Sequence, residues 1–414
     1  MEERTVHIYL SLDEEIYLGK LFAQKIGTKE IYSIELSDEY LKSKYSKYKL
    51  DPELNNYSGR QFLSSKKAIF GFLSDAAPDK WGRTLIKRKE NIQSNIEGRR
   101  PRKLTELDYL LSVYDESRMG ALRFKLDING DYIANDEENT IPPWVYIRTL
   151  EDYAIKYDSE EEIDDDWIKN LLKPGSSLGG ARPKASIYST DGSLWIAKFP
   201  SKIDTYDVGA WEAVSYELAR MCKLNVSDFK LEKFSKYGST FLTKRFDRNN
   251  KERIHFISFM TCLNAIDGES NNYSYIDLAS YIKAYSSKPT LDLIELWKRI
   301  VFNMAISNTD DHLRNHGVVI NKDGIRLSPL YDINPSPYGD SLSLNITKDN
   351  NLIDTDNLLK TYMYYNLSKE DAVKYYNDVV STINHNWMKV AKNLGISSSS
   401  IEMMKSSFSL KEIK

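Results

Sequence analysis

The stretch Ser-Asn-Thr-Asp-Asp-His-Leu-Arg-Asn, residues 307–315, and the tripeptide Leu-Tyr-Asp, residues 330–332, decide how this chain is interpreted. They place carboxylates at Asp310 and Asp332 and an amide at Asn315. Phosphoryl transfer uses one carboxylate to orient the acceptor hydroxyl, and carboxylate and amide oxygens to hold magnesium. Asp310 and Asn315 also have the spacing of the catalytic-loop Asp and Asn in protein kinases. The pattern predicts a phosphotransferase site, although the His-Arg-Asp signature is absent.

The segments around this loop support that interpretation. Apolar residues recur at helical spacing from Leu293 to Ala305, and Thr290 and Asp292 offer an N-cap and a first-turn acid. We therefore expect a helix that leads into the loop. Two short strands around the turn at 321–324 should follow, and they place Asp332 just beyond the second strand.

A plainer interpretation exists for some of these polar residues. Asn and Asp commonly cap helices and fill turns because their side chains bond to nearby backbone. One of the residues Asn308, Asp310 and Asn315 could serve only as a cap or turn residue. Such a role for all three would not explain their spacing.

A candidate phosphate loop lies upstream, in residues 174–185. It combines small residues, whose backbone N–H groups can approach phosphate oxygens, with two cations. It is neither a Walker A motif nor Gly-x-Gly-x-x-Gly, and a Gly-Gly pair alone is common in ordinary turns. The candidate phosphate ligands are Gly179, Gly180, Ala181, Arg182 and Lys184.

A hairpin is predicted next. The segments 185–188 and 194–199 have strand composition and flank an Asp-Gly turn at 191–192, which places Lys198 near the end of the second strand. A protein kinase holds its phosphate-binding lysine on such a strand. The following helical pattern carries Glu212 and Glu217, and either one is a candidate partner for Lys198.

These residues resemble those of a known family, the HipA-type serine/threonine kinases, which are toxins of bacterial type II toxin-antitoxin modules. The resemblance covers nearly the whole chain. Its markers are the segments 70–83, 176–185, 198–200, 244–248 and 310–315. Lys244 stands where the family often has Glu, and Lys80 stands where Gly is common.

The resemblance implies an α+β fold, two-lobed and protein-kinase-like, with an added small N-terminal α/β subdomain and a mainly helical C-terminal lobe. With the pattern of predicted elements, it suggests three regions. The N-terminal subdomain would comprise residues 1–114. The β-rich lobe with the phosphate loop would comprise residues 115–246, and the helical lobe with the catalytic and metal-binding loops would comprise residues 247–414.

The resemblance also assigns roles to individual residues. Asp310 would be the catalytic base, Asn315 and Asp332 would bind Mg²⁺, and Ser177 would be the autophosphorylated serine. ATP would contact Lys198 and the phosphate loop 179–184. Further nucleotide contacts are expected at Lys244, Phe246, His312, Asn315 and Tyr331.

The family's biology implies ATP and Mg²⁺ as cofactors and three kinds of partner. These are a HipB-like helix-turn-helix antitoxin, operator DNA bound mainly through that antitoxin, and a protein substrate such as an aminoacyl-tRNA synthetase. Two alternatives stay open. One is a small-molecule or lipid kinase, and the other is a pseudokinase that only binds antitoxin and operator. The intact set of Lys198, Asp310, Asn315 and Asp332 favours an enzyme.

Composition is consistent with a large cytoplasmic enzyme. The 57 Lys and Arg residues nearly balance the 60 Asp and Glu residues, so no extended basic surface predicts direct DNA binding. The basic runs 87–89 and 99–103 are interpreted as solvated loops. Cys222 and Cys262 suggest free thiols in a reducing compartment rather than a zinc site. Neither a membrane span nor a signal peptide is predicted.

Overall fold

The computed structural model describes residues 3–27, 29–64, 66–135, 141–158, 182–250 and 252–414. The chain divides into two compact units. The first comprises residues 1–202, 245–257 and 319–322, and the second comprises residues 203–244, 258–318 and 323–414. The region boundaries suggested by the sequence, at residues 114 and 246, stay predictions.

Strands dominate the early part of the described chain and helices dominate the later part. The strands are β1 (Glu3–Ser11), β2 (Glu15–Ile26), β3 (Lys29–Leu36), β4 (Arg60–Phe62), β5 (Leu122–Lys125), β6 (Lys184–Tyr188), β7 (Leu194–Lys198), β8 (Phe229–Glu232), β9 (Thr240–Lys244), β10 (Arg248–Asn249), β11 (Glu252–Arg253), β12 (His255–Ser258), β13 (Gly317–Asn321) and β14 (Gly324–Leu327). The helices are α1 (Asp38–Lys42), α2 (Gly71–Asp75), α3 (Lys80–Ile96), α4 (Glu106–Ser112), α5 (Ile147–Asp158), α6 (Val208–Met221), α7 (Phe259–Cys262), α8 (Tyr275–Tyr285), α9 (Pro289–Ala305), α10 (Thr355–Leu359), α11 (Lys369–Asn393) and α12 (Ser398–Met404).

An antiparallel sheet with the strand order β4-β3-β2-β1-β5 organises the start of the first unit. Residues 6–10 and 14–21 have strand composition and predict an opening hairpin, which is confirmed, because β1 pairs with β2 and Val6 lies opposite Leu21. Gly19 has a φ of +146°, and a Cβ there would lie 2.0 Å from the carbonyl oxygen of Glu35. Only glycine permits β2 and β3 to approach so closely at this point.

The second predicted hairpin is also confirmed in the first unit. Strands β6 and β7 are antiparallel, with Lys184 opposite Lys198 and Tyr188 opposite Leu194. Gly192 has a φ of +78°, which suits the predicted Asp-Gly turn. Because Lys198 is the last residue of β7, it stands where the sequence placed it.

A buried charge network organises the segment 244–248, one of the motifs shared with the family. Arg245 donates to the Ser117 carbonyl at 2.6 Å, and Asp247 accepts from the Gly120 N–H at 2.8 Å. Arg248 donates to the Arg118 carbonyl at 2.6 Å. Burial alone would raise the pKa of Asp247, but the two neighbouring guanidinium groups hold it below its usual range. These charges therefore find their partners within the first unit.

Helix α9 provides the buried scaffold of the second unit and leads directly to the loop at 307. It begins at Pro289, whose fixed φ suits a first turn, so the predicted N-cap at Thr290 was wrong. The first-turn acid Asp292 is present and buried, and it accepts hydrogen bonds from the Arg326 side chain at 2.8 Å and the Leu327 N–H at 3.1 Å. This fixes the start of α9 to β14.

The sequence predicts a helix over residues 372–380 after an N-cap at Ser368 and a second helix over residues 387–394, and the long helix α11 joins the two. The Ser368 hydroxyl caps it by accepting from the Asp371 N–H at 3.0 Å, as the sequence indicated. The helix then continues through Trp387 without a break, because no Gly or Pro interrupts it. In the described part of the chain, no helix combines the length and apolar character required to cross a bilayer.

Candidate active site

The loop after α9 turns sharply at Ser307, which has a left-handed φ of +51°. Asn308 then closes the helix end: its N–H donates to the Asn303 carbonyl at 2.8 Å, and its side-chain amide donates to Asn303 Oδ1 at 3.2 Å. Asn308 is 1% exposed. Of the three polar residues considered above, Asn308 therefore has the purely structural role.

Asp310 and Asn315 are brought together by the loop that joins them. The Asn315 side-chain amide donates to the Asp310 carbonyl at 3.0 Å, and the Asn315 N–H donates to the His312 carbonyl at 2.9 Å. The Asp310 side chain is exposed, whereas Asn315 is buried. A carboxylate that must reach an external hydroxyl requires this exposure.

Asp311 is the anchor of the loop. Its carboxylate is 1% exposed and accepts three hydrogen bonds, from Tyr275 on α8, from Asn303 at 2.7 Å and from His316 Nε2 at 2.8 Å. Because a carboxylate only accepts, the His316 proton is on Nε2. Burial, reinforced by the Asp311 charge, raises the pKa of Tyr275 well above its usual value. The phenol therefore stays a hydrogen-bond donor at neutral pH.

The second predicted metal residue lies in the same unit. Tyr331 donates to the Arg314 carbonyl at 2.6 Å, so the segment that carries Asp332 is joined to the loop that carries Asn315. Asp332 is half-buried and has a left-handed φ of +56°, an uncommon conformation for a residue other than glycine. His312 is also half-buried, and its buried Nδ1 has no hydrogen-bond partner among the described residues.

The oxygen donors here suit a hard cation. Because Asn315 donates through its Nδ2 to Asp310, its Oδ1 is the atom available to a ligand. Asp332 adds a carboxylate. Mg²⁺ typically takes one or two such side chains and completes its shell with water and substrate phosphates. Among the described residues, no cluster of three or more His, Cys, Asp or Glu side chains has metal-binding geometry.

In the first unit, Lys184 has a specific buried partner. Its ammonium group lies 3.0 Å from Asp79, and the two side chains are 3% and 6% exposed. Trp81 Nε1 donates to the Lys184 carbonyl at 3.1 Å. Asp79 also caps α3, because its Oδ1 accepts from the Gly82 N–H at 2.7 Å. The N-terminal family motif thus holds the start of β6.

The remaining predicted nucleotide contacts lie in different settings. Lys198 is half-buried at the end of β7, Arg182 donates to the Phe199 carbonyl at 2.9 Å, and Phe246 packs on Phe256. Lys244 ends β9, and its N–H donates to the Asp228 carbonyl at 2.8 Å. The predicted residues outside the described part of the chain are Ser177, Gly179, Gly180 and Ala181.

The two glutamates on α6 differ in environment. Glu212 is 2% exposed, whereas Glu217 is partly exposed and lies 3.7 Å from the Arg220 guanidinium on the same helix. Surface pairs of this kind contribute little to stability.

Comparison with known proteins identifies the chain. The family described as the HipA-like C-terminal domain matches residues 176–387. The chain belongs to this family. The matched region ends on α11 and contains the loops of Asp310 and Asp332, so the HipA-like domain includes the site residues of the second unit.

Similar proteins agree with this assignment. "Putative kinase Y4dM" from Sinorhizobium fredii (strain NBRC 101917 / NGR234) is 24% identical over 291 residues, covering 61% of this chain and 70% of the relative. "Putative kinase Y4mE" from the same organism is 27% identical over 183 residues, covering 38% and 41%. The HipA of the Shewanella oneidensis MR-1 HipA, HipB and operator DNA complex has a TM-score of 0.69 at 16% identity, covering 97% of this chain and 95% of that one. The α+β, kinase-like HipA fold predicted from the sequence is confirmed.

Two groups of residues in this HipA-like chain escaped the sequence analysis. The first group is Asp311 with its partners Tyr275, Asn303 and His316. Tyr275 and Asn303 lie 36 and eight residues before Asp311 in the sequence, and they meet it only in the fold. The Asp79–Lys184 pair was missed for the same reason. For Asp79 a signal existed: an Asp three residues before a Gly at the start of a helical pattern is an N-cap arrangement.

We predict unequal effects on stability at the adjacent acids. Asp311→Ala leaves three buried donors without their acceptor and should lower the free energy of unfolding by about 2–3 kcal/mol. Asp310→Asn alters an exposed side chain and should change it by less than about 0.5 kcal/mol. Urea titrations of both variants and the wild type measure the difference. Equal losses would contradict the assignment of Asp311 as anchor.

We also predict that the Asp79–Lys184 pair stabilises the first unit. Asp79→Ser keeps a capping oxygen but removes the carboxylate beside buried Lys184, and should cost about 3–5 kcal/mol. Combining it with Lys184→Met removes the buried charge and should recover most of that loss. Thermal unfolding of the two single variants and the double variant completes the cycle; additive losses would show that the pair is not coupled.

Proposed function

We propose that this chain transfers the γ-phosphoryl group of ATP to a serine or threonine hydroxyl of a protein. The observation that carries the proposal is the contrast between exposed Asp310 and locked Asp311, with Asn315 hydrogen-bonded to the same loop. This arrangement presents one carboxylate to an incoming hydroxyl from a rigid support. Membership of the HipA-like family supports it.

In the proposed reaction, each of these groups has one role. The acceptor oxygen attacks the γ-phosphorus, its proton passes to the Asp310 carboxylate, and the bond to the β–γ bridging oxygen breaks, releasing ADP. Asn315 and Asp332 would hold Mg²⁺, which when bound neutralises charge on the phosphates. We assign Lys198 to the phosphates. The other nucleotide contacts proposed are Arg182, Lys244, Phe246, His312, Tyr331 and the glycine-rich segment 179–181. The ammonium group of Lys184 is buried against Asp79 and is not available to the phosphates.

Asp310→Asn and Asp332→Asn should each abolish transfer but differ in nucleotide binding. Asp310→Asn removes the proton acceptor and should leave the affinity for Mg-ATP close to wild type. Asp332→Asn removes a metal ligand and should weaken Mg-ATP binding about tenfold or more. Calorimetric titration with Mg-ATP measures both affinities. If both variants bind equally weakly, the roles assigned to Asp310 and Asp332 are wrong.

The proposed acceptor is a protein of the translation apparatus, such as an aminoacyl-tRNA synthetase. The family resemblance motivates this choice, and transfer of radiolabelled phosphate in a cell lysate tests it. Label in one protein, identified by mass spectrometry at a serine or threonine, supports the proposal. Label in a lipid or small-molecule fraction would instead favour the alternative kinase class, and no ATP consumption would favour the pseudokinase.

We further propose that a HipB-like helix-turn-helix antitoxin binds this chain and provides most of the contacts to operator DNA. The Shewanella HipA structure is a complex with HipB and operator DNA, and the net charge of −3 gives this chain no general attraction to DNA phosphates. In a gel shift, the purified chain alone should show weak, salt-sensitive binding. A tight, sequence-specific shift without partner would contradict this prediction.

Ser177 is proposed to switch the kinase off when it is phosphorylated. A phosphate adds about −1.5 to −2 charges and would compete with ATP phosphates for the same donors. Ser177→Ala should therefore abolish autophosphorylation at this position, while wild-type protein phosphorylated there should bind Mg-ATP more weakly than the unphosphorylated form. Phosphopeptide mapping and calorimetry measure the two effects. Unchanged autophosphorylation together with equal ATP affinity would remove the switch.

A further inference from the structure

The turn at residues 405–408, near the end of the chain, is hydrogen-bonded to both functional loops of the second unit. The Ser307 hydroxyl donates to the Ser407 carbonyl at 3.1 Å, and the Ser407 hydroxyl donates to the Ser336 carbonyl at 2.7 Å. The Ser336 N–H donates to the Ser307 carbonyl at 3.1 Å. The three serines therefore form a closed ring of hydrogen bonds, which we call the serine ring.

The serine ring lies at the base of the two loops that carry the proposed chemistry. Ser307 precedes Asp310 by three residues, and Ser336 follows Asp332 by four residues. Ser307 is also the residue with the left-handed φ of +51° that turns the chain out of α9. Ser307 and Ser336 are joined twice, by the direct backbone bond and by the two bonds through Ser407, and together these bonds constrain the spacing of the Asp310 and Asp332 segments.

Packing fixes the third member of the ring. Ser407 is 2% exposed. The aromatic side chain of the adjacent Phe408 stacks on Trp387 of α11, with the two aromatic centroids 4.4 Å apart and the two planes at 6° to each other. Phe408 also lies against Trp211 of α6, at 6.1 Å. Two scaffold helices thus hold the turn in place, so Ser407 can act as a fixed point for both loops.

We propose that Ser407 is a positioning residue that sets the distance between the Asp310 loop and the Asp332 segment. Rigid placement of both carboxylates matters because small displacements of reacting groups are costly to phosphoryl transfer. The proposal rests on the proposed function for its effect on activity. Its structural part, the coupling of the two segments through Ser407, holds independently of any activity.

The test uses Ser407→Ala in the full chain. This variant removes the hydroxyl donor, leaves the Ser336 carbonyl without that bond, and keeps the Ser407 backbone. Hydrogen–deuterium exchange should accelerate about fivefold in both segments 307–315 and 332–338, the factor expected from one lost hydrogen bond. The Mg²⁺ concentration for half-maximal phosphoryl transfer should rise by about the same factor. Ser307→Ala should give the same pair of effects, because it opens the ring from the other loop.

Ser409→Ala is the matched control, since Ser409 is exposed and two residues further along the same segment. It should change neither measurement. If Ser407→Ala accelerates exchange only within 398–414 and leaves the Mg²⁺ dependence unchanged, Ser407 merely secures the end of the chain and the proposal is overturned. A wild-type protein that transfers no phosphate would refute the proposed function, whereas the exchange experiment would still decide whether Ser407 couples the two segments.

Discussion

The second unit depends on one buried carboxylate, that of Asp311. An ionised carboxylate out of water is very costly unless hydrogen bonds replace its hydration. Tyr275, Asn303 and His316 supply those bonds from α8, from α9 and from the residue before β13. Because each hydrogen bond is directional, the three bonds fix the position of the loop as well as stabilising it. A loop held only by apolar contacts would have less reason to adopt a single conformation.

Two adjacent acids, Asp310 and Asp311, have opposite environments in this loop. Asp311 is directed inward by its three donors, and Asp310 next to it is then directed to solvent. The backbone at His312 is extended, which lets the chain leave the anchor and begin the short turn that contains Asn315. The fold thus places the Asp310 carboxylate at the surface on a loop that the Asp311 hydrogen bonds anchor.

The sequence predicted features that depend on neighbouring residues and missed those that depend on distant ones. The Asp-Gly turn at 191–192 and the Ser368 cap have local causes, so both hairpin and helix were found. The Asp79–Lys184 pair joins residues more than a hundred positions apart, and no periodicity reports such a contact. In the candidate site, spacing alone selected Asp310 and Asn315. It could not reveal that the intervening Asp311 is the residue that holds the loop.

The family markers themselves divide into structural and chemical groups. In the 244–248 motif, the charges of Arg245, Asp247 and Arg248 are satisfied within the first unit, and the Asp79 motif caps α3 and pairs with Lys184. A chain that lost Asp310 would keep all of these contacts and would still be recognisable as a HipA-like protein. The presence of these two markers therefore reports the fold rather than the activity. The proposed activity would depend on the smaller set of Asp310, Asn315 and Asp332, whose substitution should leave the recognisable framework intact.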